Sequence, residues 1–197
     1  ISFGQKIPIS QSPIYDKKSG KMTNATLYEI DCKDSFDADY LDAKKGNWEF
    51  KYYMTLDMKD KYENLHLNDE VSPIIKMMYE NTKFYTLETD DGDCAGMCET
   101  KGFGNEADVF YIESNPEKKY KFSGQTILAS LSKQMMKNPE PVLKVSDPID
   151  SAYTFYTDTC GFKPAAPKGV EIKSEEMQNL INDLEEKTEA NIIDLTL

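Results

Sequence analysis

The order of elements over residues 107–162 constrains this chain more than any other feature. An apolar run, Val109-Phe110-Tyr111-Ile112, breaks at Ser114-Asn115-Pro116. A cationic loop follows, Lys118-Lys119-Tyr120-Lys121-Phe122-Ser123-Gly124, and helix spacing begins at Gln125-Thr126-Ile127-Leu128. Ile127, Leu128, Leu131 and Met135 mark one helix face, and Asn138-Pro139 stops it. A second apolar strand, Val142-Leu143-Lys144-Val145, precedes a short aromatic helix from Ala152 to Tyr156 and then Gly161-Phe162. The pattern places a glycine and three lysines at a helix N-terminus. Free amides and the helix dipole attract anions there. A phosphate or pyrophosphate site and an ordinary solvated loop both fit these local features.

The residues before this unit read as its sheet. Phe84, Tyr85 and Leu87 form a strand, and Asp91-Gly92 is a hairpin turn. The acidic turn lacks the closing glutamate of a calcium loop. Residues 94–101 return, Gly102 and Gly104 turn, and 107–112 follows, so residues 83–113 form a three-stranded antiparallel meander. Upstream, Ser72-Pro73 starts a helix with the apolar stripe Val71, Ile74, Ile75 and Met78, ending near Asn81. Trp48, Phe50, Tyr52, Met54 and Leu56 alternate, which predicts a strand with Trp48 in the core. Phe36, Tyr40 and Leu41 predict a helix capped at Gly46. Residues 25–32 read as a strand, and residues 1–24 as an irregular or edge strand turning near Ser19-Gly20. After residue 163, Pro164 to Gly169 reads as a stiff loop and Val170-Glu171-Ile172 as a short strand. Ser174 caps a helix striped by Met177, Leu180, Ile181 and Leu184, and Ile192, Ile193, Leu195 and Leu197 form an apolar tail.

Charge excludes some partners. Lys+Arg 23 against Asp+Glu 35 gives a net charge of −12. Binding to phosphate backbones or anionic membranes needs clustered cations, so neither nucleic acid nor membrane is an expected partner. A cationic partner suits the surface, and acidity also serves solubility. The four cysteines, at 32, 94, 98 and 160, are too sparse for a disulfide scaffold. Cys94 and Cys98 have a spacing compatible with zinc, but the single histidine, His66, lies in no motif. The expectation is free thiols, no metal, His66 at the surface and a cytoplasmic protein.

The 83–163 stretch resembles the acetyl-CoA-binding core of the GNAT-type N-acetyltransferases. In that family a strand ends in a residue-Pro step, here Asn115-Pro116. A loop motif opens the next helix, here Lys121-Phe122-Ser123-Gly124-Gln125-Thr126. Lys121 stands for the usual Arg or Gln, and Thr126 for a small residue. Ala-x-x-Phe-Tyr before Gly-Phe is matched by Ala152, Phe155, Tyr156, Gly161 and Phe162, with one extra residue after the tyrosine.

The resemblance implies an α/β (α+β) fold: a mixed, mostly antiparallel sheet flanked by helices. Residues 1–163 would form one GNAT-like domain, with 1–82 as its N-terminal part. Residues 164–197 would complete the sheet or dock on a partner, either a second copy or another protein. The strand at 107–113 would splay from that at 142–146, with acetyl-CoA as cosubstrate in the opening. Ile112, Ser114, Lys121, Phe122, Ser123, Gly124, Gln125 and Thr126 would hold it. Asp108 or Glu113 would serve as general base, and Tyr156 would protonate the departing thiolate. The implied function is acetyl transfer to an amine, either a small cationic amine or a protein amino group. The alternative is a noncatalytic acidic interaction module on a degenerate version of the fold, binding a basic protein.

Overall fold

The computed structural model describes residues 6–33, 36–44 and 48–194. Among the described residues nine strands form one sheet in the order β6-β1-β2-β3-β4-β5-β7-β9-β8. In chain order these are β1 (Lys6–Asp16), β2 (Lys21–Ile30), β3 (Thr82–Thr89), β4 (Cys94–Phe103), β5 (Glu106–Ser114), β6 (Tyr120–Lys121), β7 (Val142–Val145), β8 (Lys163–Ala165) and β9 (Gly169–Ile172). Helices α1 (Phe36–Asp42), α2 (Glu49–Tyr62) and α3 (Pro73–Glu80) lie between β2 and β3. Helix α4 (Ser123–Met135) follows β6, α5 (Asp150–Thr154) follows β7, and α6 (Ser174–Asp194) follows β9. All pairings are antiparallel except β5 with β7. The predicted mixed, mostly antiparallel sheet is the one observed.

Each strand has two faces, and each face has its own core. Side chains alternate across a strand, so neighbours on β3 part company. Tyr85 and Leu87 join Ile127, Leu128 and Leu131 of α4 and Met177, Leu180, Ile181 and Leu184 of α6. Phe84 joins Leu41, Trp48, Met54 and Met58 on the α1–α2 face, with Met97 of β4. Gly96 of β4 allows α4 to rest on the sheet. A Cβ there would stand 2.7 Å from Cδ1 of Ile127.

The first predicted segment is a full strand. Its prolines, Pro8 and Pro13, are tolerated because β6 covers β1 only at Tyr15 and Asp16. The hairpin at Asp91-Gly92 and the Ser72 cap form as predicted, with the Ser72 side chain accepting from the Ile75 amide at 3.4 Å. The strand predicted from Trp48 to Leu56 is a helix instead. Its apolar alternation is coincidental. Met54, Thr55 and Met58 share the buried face at helical spacing, while Tyr52, Tyr53 and Leu56 face solvent. Trp48 is buried, as expected. The stripe on α3 does not pack: no residue of that helix is buried. All four cysteines are free and buried. The C-terminal segment completes the sheet with β9 and β8, and α6 covers the sheet face. Gly46, Leu195 and Leu197 lie outside the described residues. Among the described residues no helix is long and apolar enough to cross a membrane.

Candidate functional site

The sheet opens where the sequence pattern places a ligand. β5 pairs with β7 at Glu106, Ala107 and Asp108, opposite Val142, Leu143 and Lys144. β5 then runs on to Ser114 without β7. A bulge accompanies the parting: Glu99 faces Tyr111 but Thr100 faces Val109, so Phe110 is the extra residue on β5. A bulge bends its strand and raises the local twist. The edge of β5 beyond it is free of β7.

The N-terminus of α4 is tied beside the end of this edge. Asn115, which is buried, donates from its side chain to the Cys94 carbonyl at 2.9 Å, and its amide donates to Ala95. Lys119 and Tyr120 both bind the Asp93 carboxylate, which holds the Lys119 ammonium well above its ordinary pKa. Lys121 pairs in β6, and its ammonium lies 4.8 Å from the centroid of the Tyr15 ring. The loop's cations are therefore partly committed to neighbours. Phe122 takes a left-handed conformation, φ 70°, and turns the chain into α4. Ser123, Gly124, Gln125 and Thr126 are all buried. The hydroxyls of Ser123 and Thr126 are buried without a hydrogen-bond partner.

Gly124 closes the geometry. A Cβ on it would stand 2.9 Å from Cζ of Phe155 and 3.5 Å from Oγ of Ser114. The end of β5, the start of α4 and the aromatic helix thus meet at this glycine. Of the residues predicted to hold a cosubstrate, Ser114 and Gly124 meet here. Ser123, Gln125 and Thr126 belong to the same helical turn. Ile112 packs partly against the core, and Lys121 is exposed. Thr126 is 1% exposed, so its extra bulk is taken up inside the molecule.

The three predicted catalytic residues lie in three different environments. Asp108 accepts from the Ser146 amide at 3.1 Å and from its hydroxyl, which pins β5 to the end of β7. Glu113 accepts from the amides of Glu49, at 3.2 Å, and Phe50, at 2.9 Å, and so caps α2. Tyr156 is 4% exposed and lies edge-on to the rings of Phe155 and Phe162. Burial, with Cys98 and Cys160 nearby, pushes its hydroxyl above the ordinary tyrosine pKa.

A carboxylate that the sequence reading did not single out is more unusual. Glu99 of β4 is 0% exposed and forms part of the lining of a cavity of about 340 Å³. Neither carboxylate oxygen receives a hydrogen bond. Lys101 Nζ stands 3.4 Å from Oε1 and 4.0 Å from Asp57 of α2, close enough for ion contact but not aligned to donate to Glu99. Burial, reinforced by Asp57, pushes the Glu99 carboxyl up to about 8, and Lys101 opposes the shift. Ile75, Met78, Tyr79 and Thr82 complete the main walls. The signal was present in the strand, where Met97, Glu99 and Lys101 share one face. Asp57 was hidden because its helix was read as a strand. A cavity of about 400 Å³ opens on the other face, but its Lys83 and Glu106 are paired with Glu29 and Lys144. Its Lys83 and Glu106 sit in close ion pairs, whereas Glu99 has a looser 3.4 Å contact with Lys101 and no hydrogen bond.

No family model and no curated protein sequence matches the chain. Solved structures do. The AtaT–AtaR complex bound to DNA aligns at TM-score 0.55 and 15% identity, over 79% of this chain and 98% of that one. A mutant AtaT toxin bound to the C-terminus of the antitoxin AtaR and acetyl-CoA aligns at 0.54 and 12%, over 80% and 98%. The PaiA N-acetyltransferase from Thermoplasma acidophilum, in complex with coenzyme A, aligns at 0.48 and 21%, over 76% and 98%. At these identities the likeness is one of fold. The chain has the GNAT-type acyl-CoA N-acyltransferase fold.

Proposed function

We propose that this chain is an acetyl-CoA-dependent N-acetyltransferase, with Glu99 as the base that readies an amine. The observation that carries the reading is the buried Glu99 carboxylate, in ion contact with Lys101 but without a hydrogen bond, beside the bulge where β5 leaves β7. A base is most effective when its pKa lies near the working pH, and Glu99 has that property at about 8.

The opened edge of β5 supports a thioester lying along it, with backbone amides near Ile112 and Ser114 polarising its carbonyl. The first turn of α4 supports the pyrophosphate through the N-terminal amides ahead of Thr126, whose own amide donates to the Phe122 carbonyl. An ammonium substrate gives one proton to Glu99. The freed amine attacks the carbonyl carbon and forms a tetrahedral oxyanion. The carbon–sulfur bond then breaks, and the nitrogen's surplus proton leaves with the thiolate. The products are an acetamide and coenzyme A, and Glu99 returns its proton to solvent.

Differential scanning fluorimetry with millimolar acetyl-CoA, paired with thiol release in the presence of amines, tests this. The expected result is a higher Tm, since a ligand that binds only the folded state stabilises it, and amine-dependent thiol release. Absence of both would sink the enzyme reading and favour a noncatalytic module built on the same fold.

A further inference from the structure

We infer that the acceptor is a primary amine carried on an apolar body, with a single positive charge, rather than a polyamine. The inference rests on the acetyl-transfer reading and concerns the class of amine that the Glu99 cavity takes. The cavity lining combines two unlike sets of residues. Its charged groups, Glu99, Asp57 and Lys101, cluster together, with Lys101 within 4.0 Å of both acids. Ile75, Met78 and Tyr79 of α3 supply the apolar part of the lining. Two carboxylates and one lysine leave one negative charge unmatched when both acids are ionised. That is the requirement of one ammonium. In this same position Lys101 Nζ also lies 3.5 Å from the centroid of the Phe110 ring, so its one charge is shared between two acids and an aromatic face.

The apolar wall carries the second half of the argument. α3 has a cap, a proline start and a continuous apolar stripe, which are the marks of a helix that packs. Yet Ile74 is 68% exposed, Ile75 44%, Met77 45% and Met78 51%. Ile75 and Met78 face a volume of about 340 Å³, within the range of small-molecule sites. An aromatic or branched alkyl body removes this surface from water, which a chain of methylenes broken by further ammonium groups does not. A polyamine also needs acids spaced along its length, and the two acids of this lining share one lysine within 4.0 Å. Methionine adapts to varied apolar shapes, so the wall sets a class rather than a single shape.

The test uses the full chain and two probes, 2-phenylethylamine and spermidine. Binding is measured by titration calorimetry without acetyl-CoA, and kcat/KM is measured with it. The expected result is at least ~10-fold tighter binding and at least ~10-fold higher kcat/KM for 2-phenylethylamine, the scale on which an apolar pocket discriminates. Met78→Asp, at a half-exposed position, should abolish that preference while keeping the far-ultraviolet circular dichroism of the native chain. Equal or better use of spermidine, or a Met78→Asp variant with the preference intact, overturns the inference. A dimer in gel filtration that Met78→Asp dissociates also overturns it, because α3 then covers a second copy. Met78-dependent amine binding without acetyl transfer supports the amine class and removes the enzyme reading. Transfer that prefers spermidine does the reverse.

Discussion

At the scale of single residues, environment assigns the roles. Asp108, Glu113 and Glu99 are all carboxylates on neighbouring strands, yet two are engaged by donors and one is not. The Glu99→Gln variant should lower kcat/KM at neutral pH by about 10²–10⁴-fold, the usual contribution of a positioned base. The native profile should rise with pH and level off above about 8, while the variant loses that inflection. Stability should respond in the opposite direction. The folded-state pKa lies above the ordinary value of 4.5, so the folded chain holds this proton more tightly than the unfolded one. Between about pH 4.5 and 8 the native protein should therefore lose stability as pH rises. The Gln variant should lack that part of the slope, and urea melts across the range provide the check. Tyr156→Phe should change kcat less than about threefold, because a raised pKa favours keeping the proton and the ring is packed in the core. A drop of the size general acids supply, about 10²-fold, would instead assign the thiolate's proton to Tyr156.

At the scale of elements, the site is a junction of helix ends and strand ends. Glu113 joins the two sides, since it stands on the free edge of β5 and caps α2, which carries Asp57. Removing its carboxylate with Glu113→Ala should destabilise the chain by about 1 kcal/mol, the common cost of a lost cap with its favourable charge at the dipole. Denaturant unfolding measures it. KM for the amine should rise more than kcat falls, because α2 forms one side of the cavity rather than the reacting centre. Elements with local instructions were legible in the sequence. Ser72-Pro73 starts α3, Asp91-Gly92 turns β3 into β4, and Ile127 to Met135 stripes α4. The segment at 48–56 was not, because five apolar residues at alternate positions imitate a strand. Only the sheet supplies the surface that Met54 and Met58 bury together.

At the scale of the whole molecule, one sheet links parts that are distant in the chain. β1 and β2 continue the meander, β9 and β8 complete its other side, and α6 lies over the core with α4. Met177, Leu180, Ile181 and Leu184 are each at most 5% exposed. Deleting residues 174–194 should abolish cooperative thermal unfolding, since each buried aliphatic contributes about 1.5–3 kcal/mol against a total stability of only about 5–15. Calorimetry would show a broad, weak transition in place of a peak. A sharp peak at the native Tm would show that α6 is peripheral.

The sequence by itself determined the order of strand, loop, helix and strand, the hairpins, the caps and the glycine at the α4 entrance, because these depend on neighbours along the chain. It also carried the family resemblance, which the fold matches. The tertiary structure alone decided which buried acid lacks a hydrogen bond, that α3 keeps its apolar stripe in the open, and that Phe155 lies against Gly124. The reason is physical. A carboxylate's pKa, and whether an apolar side chain is covered, depend on groups brought close in space, and Asp57, Ile75 and Glu99 meet only once the sheet and its helices are assembled.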